Sequence, residues 1–415
     1  MEFYFPDSQD TVDPSFDFET EERSDARIRH RDDLYAHEIF SERCYDGLLV
    51  SKGIVDGFVN TTSRYTLAQR HRLLREGAKR FFRTANSRFG QIKLMGDCGA
   101  FTYFREFEPP YTVNDVVRFY EECGFDLGIS IDHIVMAFDV QWDQPGMIAP
   151  AATEAFRRRE LTLALARDFL LQTKHHASFH PIGVAHGWSP GSYAHSVKQL
   201  QAMGYDYIAI GGLVPKKTWE IQSILTAIAD VRYPATKLHL LGVTRLDAYH
   251  DFARAGVASL DSTSPLRQAF KDARDNYYTA SRTYVALRIP QLDANPKLKK
   301  GILSGRISQA CARTLETECL RRMAEWDSER CSLDDVLVPL CEYGRLLDPS
   351  FKMESAYREV LQDAPWKDCS CDICKTLHHH VILFRGAERN RRRGLHNVSI
   401  LYRRLQHSMA QFASS

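Results

Sequence analysis

Three thiols and an imidazole near the C-terminus, and two aspartates far upstream, are the side chains of this sequence whose types and spacing suit chemistry. Cys369, Cys371 and Cys374 stand in Cys369-Ser370-Cys371-Asp372-Ile373-Cys374, three sulfurs within one short loop. Zinc takes four ligands on a tetrahedron, so a tight loop can supply three thiolates and an imidazole from a following helix can close a structural site. Incidental cytosolic cysteines are the alternative, but free cysteines are rarely spaced so tightly. His378, His379 and His380 lie nearer in sequence, yet such a run at the start of a helix reads as a solvated face. His396, in Leu395-His396-Asn397, is the expected fourth ligand. The other cysteines, at 44, 98, 123, 311, 319, 331 and 341, show no ligand pattern.

Asp97 lies in Gly96-Asp97-Cys98-Gly99-Ala100-Phe101 and Asp261 in Leu260-Asp261-Ser262-Thr263-Ser264-Pro265, each directly after an apolar run. Gly99 lets the backbone approach a flat ligand and Phe101 can stack on one. Glycosyl transfer needs two carboxylates, one to attack the anomeric carbon and one to manage protons on the departing and arriving groups. Taken singly, an aspartate at a strand end serves equally well as a cap for the next helix.

The elements that must position these groups follow from periodicity. Short apolar runs over 92–97, 134–139, 181–186, 207–211, 238–243 and 257–261 alternate with amphipathic stretches over 113–122, 152–173, 192–203, 218–229 and 246–255. Buried parallel strands joined by crossover helices give that alternation, in a doubly wound sheet or in a barrel. Nearly every run ends in glycine or a polar residue (Asp97, Asp139, His186, Gly211 with Gly212, Thr244, Asp261), and strand ends from different repeats converge only at a barrel mouth. The expected fold is therefore an α/β chain, a (β/α)8 TIM-type barrel with a helical insertion and a C-terminal zinc-binding subdomain. Its expected parts are an acidic N-terminal arm over 1–40, the barrel core over 41–280, the insertion over 281–360, and the zinc subdomain with its C-terminal helix over 361–415.

Composition limits the function classes. A chain of 415 residues with 44% hydrophobic content can bury a full core. Lys plus Arg (54) balance Asp plus Glu (53), so a nucleic-acid partner must be held by local basic patches. No run approaches the roughly 18 apolar residues that span a bilayer, and the N-terminus is acidic where a secretory signal is basic and then apolar. A cytoplasmic protein without a membrane partner is expected.

The ordered series Asp97-Cys98-Gly99-Ala100-Phe101, Ile134-Val135-Met136-Ala137-Phe138-Asp139, Ile210-Gly211-Gly212-Leu213, Leu241-Gly242-Val243 and Asp261-Ser262-Thr263-Ser264-Pro265-Leu266-Arg267, ending in the Cys/Cys/Cys/His set, resembles the guanine transglycosylases that install 7-deazaguanines in tRNA. The resemblance runs over about residues 90–265 and 369–402. It implies that Asp261 is the nucleophile that expels guanine and forms a covalent sugar–enzyme intermediate, with Asp97 as general acid/base. Phe101 and Leu241 correspond to the two sides of the base sandwich, and Gly211, Gly212 and Leu213 to the backbone that reads the base edge. A base-recognising aspartate of the family falls at Asp132 or His133. Spacing favours His133, whereas chemistry favours Asp132, whose carboxylate can accept two hydrogen bonds from a guanine-like N–H pair. His186 stands where the family has glutamine.

After the nucleophile the tRNA enzymes carry an asparagine- and glycine-rich stretch, and this chain instead has residues 266–278, ending in Asn276-Tyr277-Tyr278. That departure is similar to the branch that puts 7-deazaguanines such as preQ0 into DNA. DNA is the leading polymer partner and tRNA the alternative; a non-catalytic zinc subunit that only binds nucleic acid is the alternative of another class. A target guanine in duplex DNA must first leave the stack, which suggests a companion ATPase that opens the DNA. Arg389, Arg391, Arg392, Arg393, Arg403, Arg404, Lys216 and Lys217 are candidate phosphate contacts, with a solvated helix face as the alternative.

Overall fold

The computed structural model describes residues 1–57, 64–144, 149–174, 178–271 and 274–414. Eight parallel strands close into a barrel in the order of the sequence: β1 (Glu2–Pro6), β2 (Gly47–Ser51), β3 (Lys93–Asp97), β4 (Leu127–Ile129), β5 (His180–Ala185), β6 (Tyr207–Ile210), β7 (Lys237–Leu240) and β8 (Val257–Asp261). Helices join successive strands, as Val113–Cys123, Pro150–Thr173, Pro190–Met203 and Thr218–Ala229 show. The interior is filled by Tyr4, Leu49, Met95, Ile129, Ile182, Val184, Tyr207 and Ala209, all buried. Inward residues come from alternate positions along each strand, so the polar strand ends are left at the C-terminal mouth.

The strands β1, β2 and β4 lie outside the predicted apolar runs, and two of the differences shape the mouth and its closure. The apolar run at 134–139 is an extended loop and not a strand, because β4 pairs with β5 only through Ile129. Ile134 and Val135 are buried all the same, with Val135 packed on Ala155 of the helix Pro150–Thr173 and on Trp188. Asp139 turns the chain by accepting the N–H of Gln141 at 2.9 Å. The second difference is the N-terminus. Acid-rich composition over 1–40 suggests an arm, but Phe3, Tyr4 and Phe5 form the buried centre of β1, which lies between β2 and β8 and closes the barrel. Averaging over forty residues hid a five-residue strand.

The chain divides into two compact units, one of residues 1–9, 45–263 and 404–415, the other of residues 10–44 and 264–403. The second is mainly helical, with Gln309–Asp327, Leu333–Leu347 and Glu354–Asp363 preceding the cysteine loop and residues 386–403 of the long helix Gly386–Ser414 following it. Residues 10–44 belong to this unit, and their acidity has a partner. Glu21 accepts from Arg385 Nε at 2.7 Å and also pairs with Arg389, while Arg392 Nη1 lies 2.7 Å from Glu388 and its Nη2 donates to the Asp13 carbonyl. Arg393 is fully buried and donates to the carbonyls of Val381, Leu383 and Ala269. Arg391 pairs with Glu388, and Arg403 with Glu42. The basic run expected at phosphates is thus largely an internal ionic lattice. Lys216 is buried too and donates to the carbonyls of Met136 and Ala137.

Truncating one member of such a lattice leaves a charge buried without its partner. Glu21→Ala is expected to cost about 3 kcal/mol and lower the urea midpoint, while Glu19→Ala, at a carboxylate 73% exposed, changes it little. Equal midpoints for the two variants would show that the lattice contributes nothing.

Candidate active site

The mouth of the barrel gathers three aspartates from strands distant in sequence. Asp97 ends β3, opposite Ser51 of β2, and Asp261 ends β8, opposite Tyr4 of β1. Asp132 lies just beyond β4 on the loop that leaves the sheet. Burial first, then the charges of Asp132 and Asp261, push the Asp97 carboxyl up to about 7, against the opposing pull of the Gly99 N–H and Ser51. The Gly99 N–H donates to Asp97 Oδ2 at 3.0 Å. Gly99 sits at φ +87°, and a Cβ there would stand 2.4 Å from Ser51 Oγ, so only glycine permits this turn. Phe101 follows, 51% exposed, on the short turn after it.

Asp132 and His186 form a buried pair, with His186 Nε2 2.7 Å from Asp132 Oδ2. The other carboxylate oxygen, Oδ1, lies 3.1 Å from Cys98 Sγ, and the Tyr103 hydroxyl donates to that sulfur at 3.0 Å. Burial and the charges of Asp132 and Asp97 push the Cys98 thiol up, so it stays protonated and acts as donor. The Asp132 carboxylate is thus tied into the mouth. The backbone N–H of His133 donates to Thr162 of the helix Pro150–Thr173, and its imidazole is pushed down to about 4 by burial, Arg158 and Arg157.

Gly211 and Gly212 follow β6 against the His186 ring. A Cβ at Gly211 would stand 2.4 Å from His186 Cε1, and one at Gly212, where φ is +71°, would stand 2.2 Å from the Val135 carbonyl oxygen. Both glycines are buried, and the Gly211 peptide is engaged on each side, its N–H on the Ala185 carbonyl at 3.0 Å and its carbonyl accepting from the Tyr193 hydroxyl at 2.8 Å. Leu213 is fully buried, and Leu241 packs on the barrel core just after β7.

The nucleophile candidate is held by two donors on one oxygen. The Gly242 N–H donates to Asp261 Oδ1 at 2.9 Å, and His239 Nε2 lies 3.2 Å from the same atom. Neither contact touches Oδ2. Sequence reasoning passed over His239, although a lone polar residue inside Lys237-Leu238-His239-Leu240, two positions before Leu241, was a visible signal.

In the second unit Cys369, Cys371, Cys374 and His396 bring their ligand atoms within 4.8 Å of one another. His396 Nδ1 lies 3.8, 3.3 and 3.4 Å from the three sulfurs. A tetrahedral zinc with the usual bond lengths sets this separation at about 3.5 Å, so the donor set and spacing fit such an ion. His396 Nε2 lies 2.8 Å from the Tyr278 carbonyl, which fixes the tautomer that points the Nδ1 lone pair at the sulfurs. Tyr277 stacks on the imidazole at 4.2 Å and its hydroxyl lies 3.2 Å from Cys374 Sγ. The end of the segment expected to face the polymer is therefore built into this knot, while Asp272 and Ala273 lie outside the described residues. His379 is buried and pairs with Asp327, not with the cysteines.

The closed eight-stranded barrel is the fold that the motif series implies. No protein-family model matches the chain. Over 99% of its length, however, it is 46% identical to a protein of Salmonella montevideo named DNA-guanine transglycosylase, and the match covers 98% of that protein. Identity at this level from end to end shows the family: the chain belongs to the guanine transglycosylases, in their DNA-modifying branch. Among the described residues no helix is long and apolar enough to cross a membrane.

A carboxyl that titrates near 7 in the folded chain and near 4 when unfolded destabilises the fold in its charged form. That burden builds between those values and is constant above them, bounded by about 4 kcal/mol. Asp97→Asn is therefore expected to melt with the parent protein near pH 4 and above it at pH 8. A melting difference that does not grow with pH would refute the raised carboxyl.

Proposed function

We propose that this protein exchanges guanine in DNA for a 7-deazaguanine base of the preQ0 type by double displacement at C1′ of the deoxyribose. The observation that carries the reading is the pair at the mouth, a carboxyl raised to about 7 in part by the Asp261 charge, and Asp261 itself, whose Oδ1 takes both the Gly242 and His239 contacts while Oδ2 takes none among the described residues. Asp261 Oδ2 attacks C1′; the C1′–O bond forms as the C1′–N9 bond breaks, and the electron pair leaves with the purine. Asp97, protonated near neutral pH, gives its proton to the departing guanine. The incoming base then loses the proton of its corresponding ring nitrogen to Asp97 while that nitrogen attacks C1′ and Asp261 departs.

The base lies between Phe101 and Leu241, with the peptides of Gly211, Gly212 and Leu213 along its edge. Asp132 accepts from the guanine-like N–H groups. His186 donates to Asp132 and has a buried Nδ1 without a hydrogen-bond partner, so it offers an acceptor where glutamine offers a donor as well. The Cys/Cys/Cys/His knot holds a structural zinc that supports its own unit and takes no part in the exchange. A barrel mouth cannot reach C1′ in an intact duplex, so the target is a flipped or unpaired guanine, supplied in duplex DNA by a companion ATPase.

Labelled guanine offered with DNA or with tRNA is expected to enter DNA, and single-stranded DNA faster than closed, relaxed duplex. Label in tRNA alone would shift the assignment to the other polymer. A protein–DNA adduct that survives denaturation is expected with the parent protein and absent with Asp261→Ala, whose exchange falls by at least about a thousandfold. Undiminished exchange by Asp261→Ala would sink the mechanism. Metal analysis is expected to find about one zinc per chain, lost in Cys371→Ser together with thermal stability.

A further inference from the structure

Behind Asp261 a line of buried polar side chains runs down the barrel interior. The Tyr207 hydroxyl lies 2.5 Å from Ser259 Oγ, Ser259 Oγ lies 2.5 Å from His239 Nδ1, and His239 Nε2 lies 3.2 Å from Asp261 Oδ1. His239 and Ser259 are fully buried, and the imidazole edge meets the ring of Tyr4 at 6.0 Å between centroids. Polar groups in a barrel core cost stability unless each finds its partner, so the line needs a use or a reason.

With a neutral imidazole the line runs one way. A carboxylate can only accept, so Nε2 carries the proton and Nδ1 accepts from Ser259, whose own oxygen accepts from Tyr207. The alignment depends on an irregularity in the sheet. Leu238 pairs with Val257, but His239 pairs with Ser259, which leaves Ala258 as one extra residue on β8. With that bulge, Ala258 packs on the inner core and Ser259, the next residue, also faces inward.

We infer that His239, set by Ser259 and Tyr207, is a positioning residue that selects Oδ2 of Asp261 for attack and makes the carboxylate a better leaving group in the second displacement. The inference rests on the covalent reading above. While Oδ2 is bonded to C1′ the Asp261 charge is gone, and the hydrogen bonds to Oδ1 are weak. As the C1′–Oδ2 bond breaks, the electron pair returns to the carboxylate, and the His239 and Gly242 N–H groups meet charge as it develops. They favour breakdown of the intermediate more than its formation.

His239→Ala is therefore expected to slow return of the sugar about tenfold or more, so that adduct accumulates at steady state and kcat and KM for DNA fall together. His239→Gln, whose amide can donate to Asp261 and accept from Ser259, is expected to restore the parental adduct fraction. Ser259→Ala, which frees the imidazole without removing it, is expected to raise adduct by a smaller factor. It carries the test if the His239 variants fail to fold. A purely structural His239 would lower active protein in both variants and leave the adduct fraction and KM of the folded protein unchanged, which overturns the inference. Exchange that continues with no adduct in any protein, the parent included, removes the covalent reading and this inference with it.

Discussion

Like charges crowded in a recess that water cannot fully enter set the terms for the rest of this structure. Burial and the charges of Asp132 and Asp261 raise the cost of ionising Asp97. Each of the other two is steadied by a histidine, Asp132 by His186 and Asp261 by His239, and each histidine comes from a different strand or its end. Strand lengths, the early end of β4 and the glycines after β3 and β6 all follow from placing these groups in one recess. A shallower mouth would leave three ordinary solvated aspartates and no raised carboxyl.

Closing the barrel is what makes that recess. Tyr4 of β1 is the register partner of Asp261, so the first strand of the chain braces the last. The extra residue at Ala258 then gives β8 two inward side chains in succession, one filling the core and the next carrying the polar line to Asp261. Stability and geometry are served by adjacent residues of one bulge.

Much of this was legible in the sequence. Asp97 and Asp261 were visible because each ends an apolar run, and the cysteine loop was visible because three thiols in six residues have few uses. The barrel was legible from polar strand ends more than from the strands themselves: β1, β2 and β4 were missed, and the loop at 134–139 passed for a strand. Burial alone makes a segment apolar, whether its backbone pairs with a neighbour or only lies under one. The arginines near His396 misled for a related reason. Charge patterning shows how many cations a helix carries, but only the fold shows that Glu21, Glu388 and the Asp13 carbonyl meet them. His239 went unread because the run over 238–243 reads as a whole as a strand, and the one polar side chain inside it was not weighed by itself.

The position of β1 also sets a clock. Ribosomes add roughly 5–20 residues each second, so β1 emerges on the order of 10–50 s before β8, its closing neighbour, is made. The acidic segment behind it waits longer, since Glu21 finds Arg385 and Arg389 only when nearly the whole chain is out. Until β8 is made, Phe3, Tyr4 and Phe5 lack the strand that closes over them, and the sequence sets a stretch of carboxylates beside them. The acidic N-terminal segment thus lies first beside an unclosed strand during synthesis and then supplies the counter-charge of a buried arginine helix.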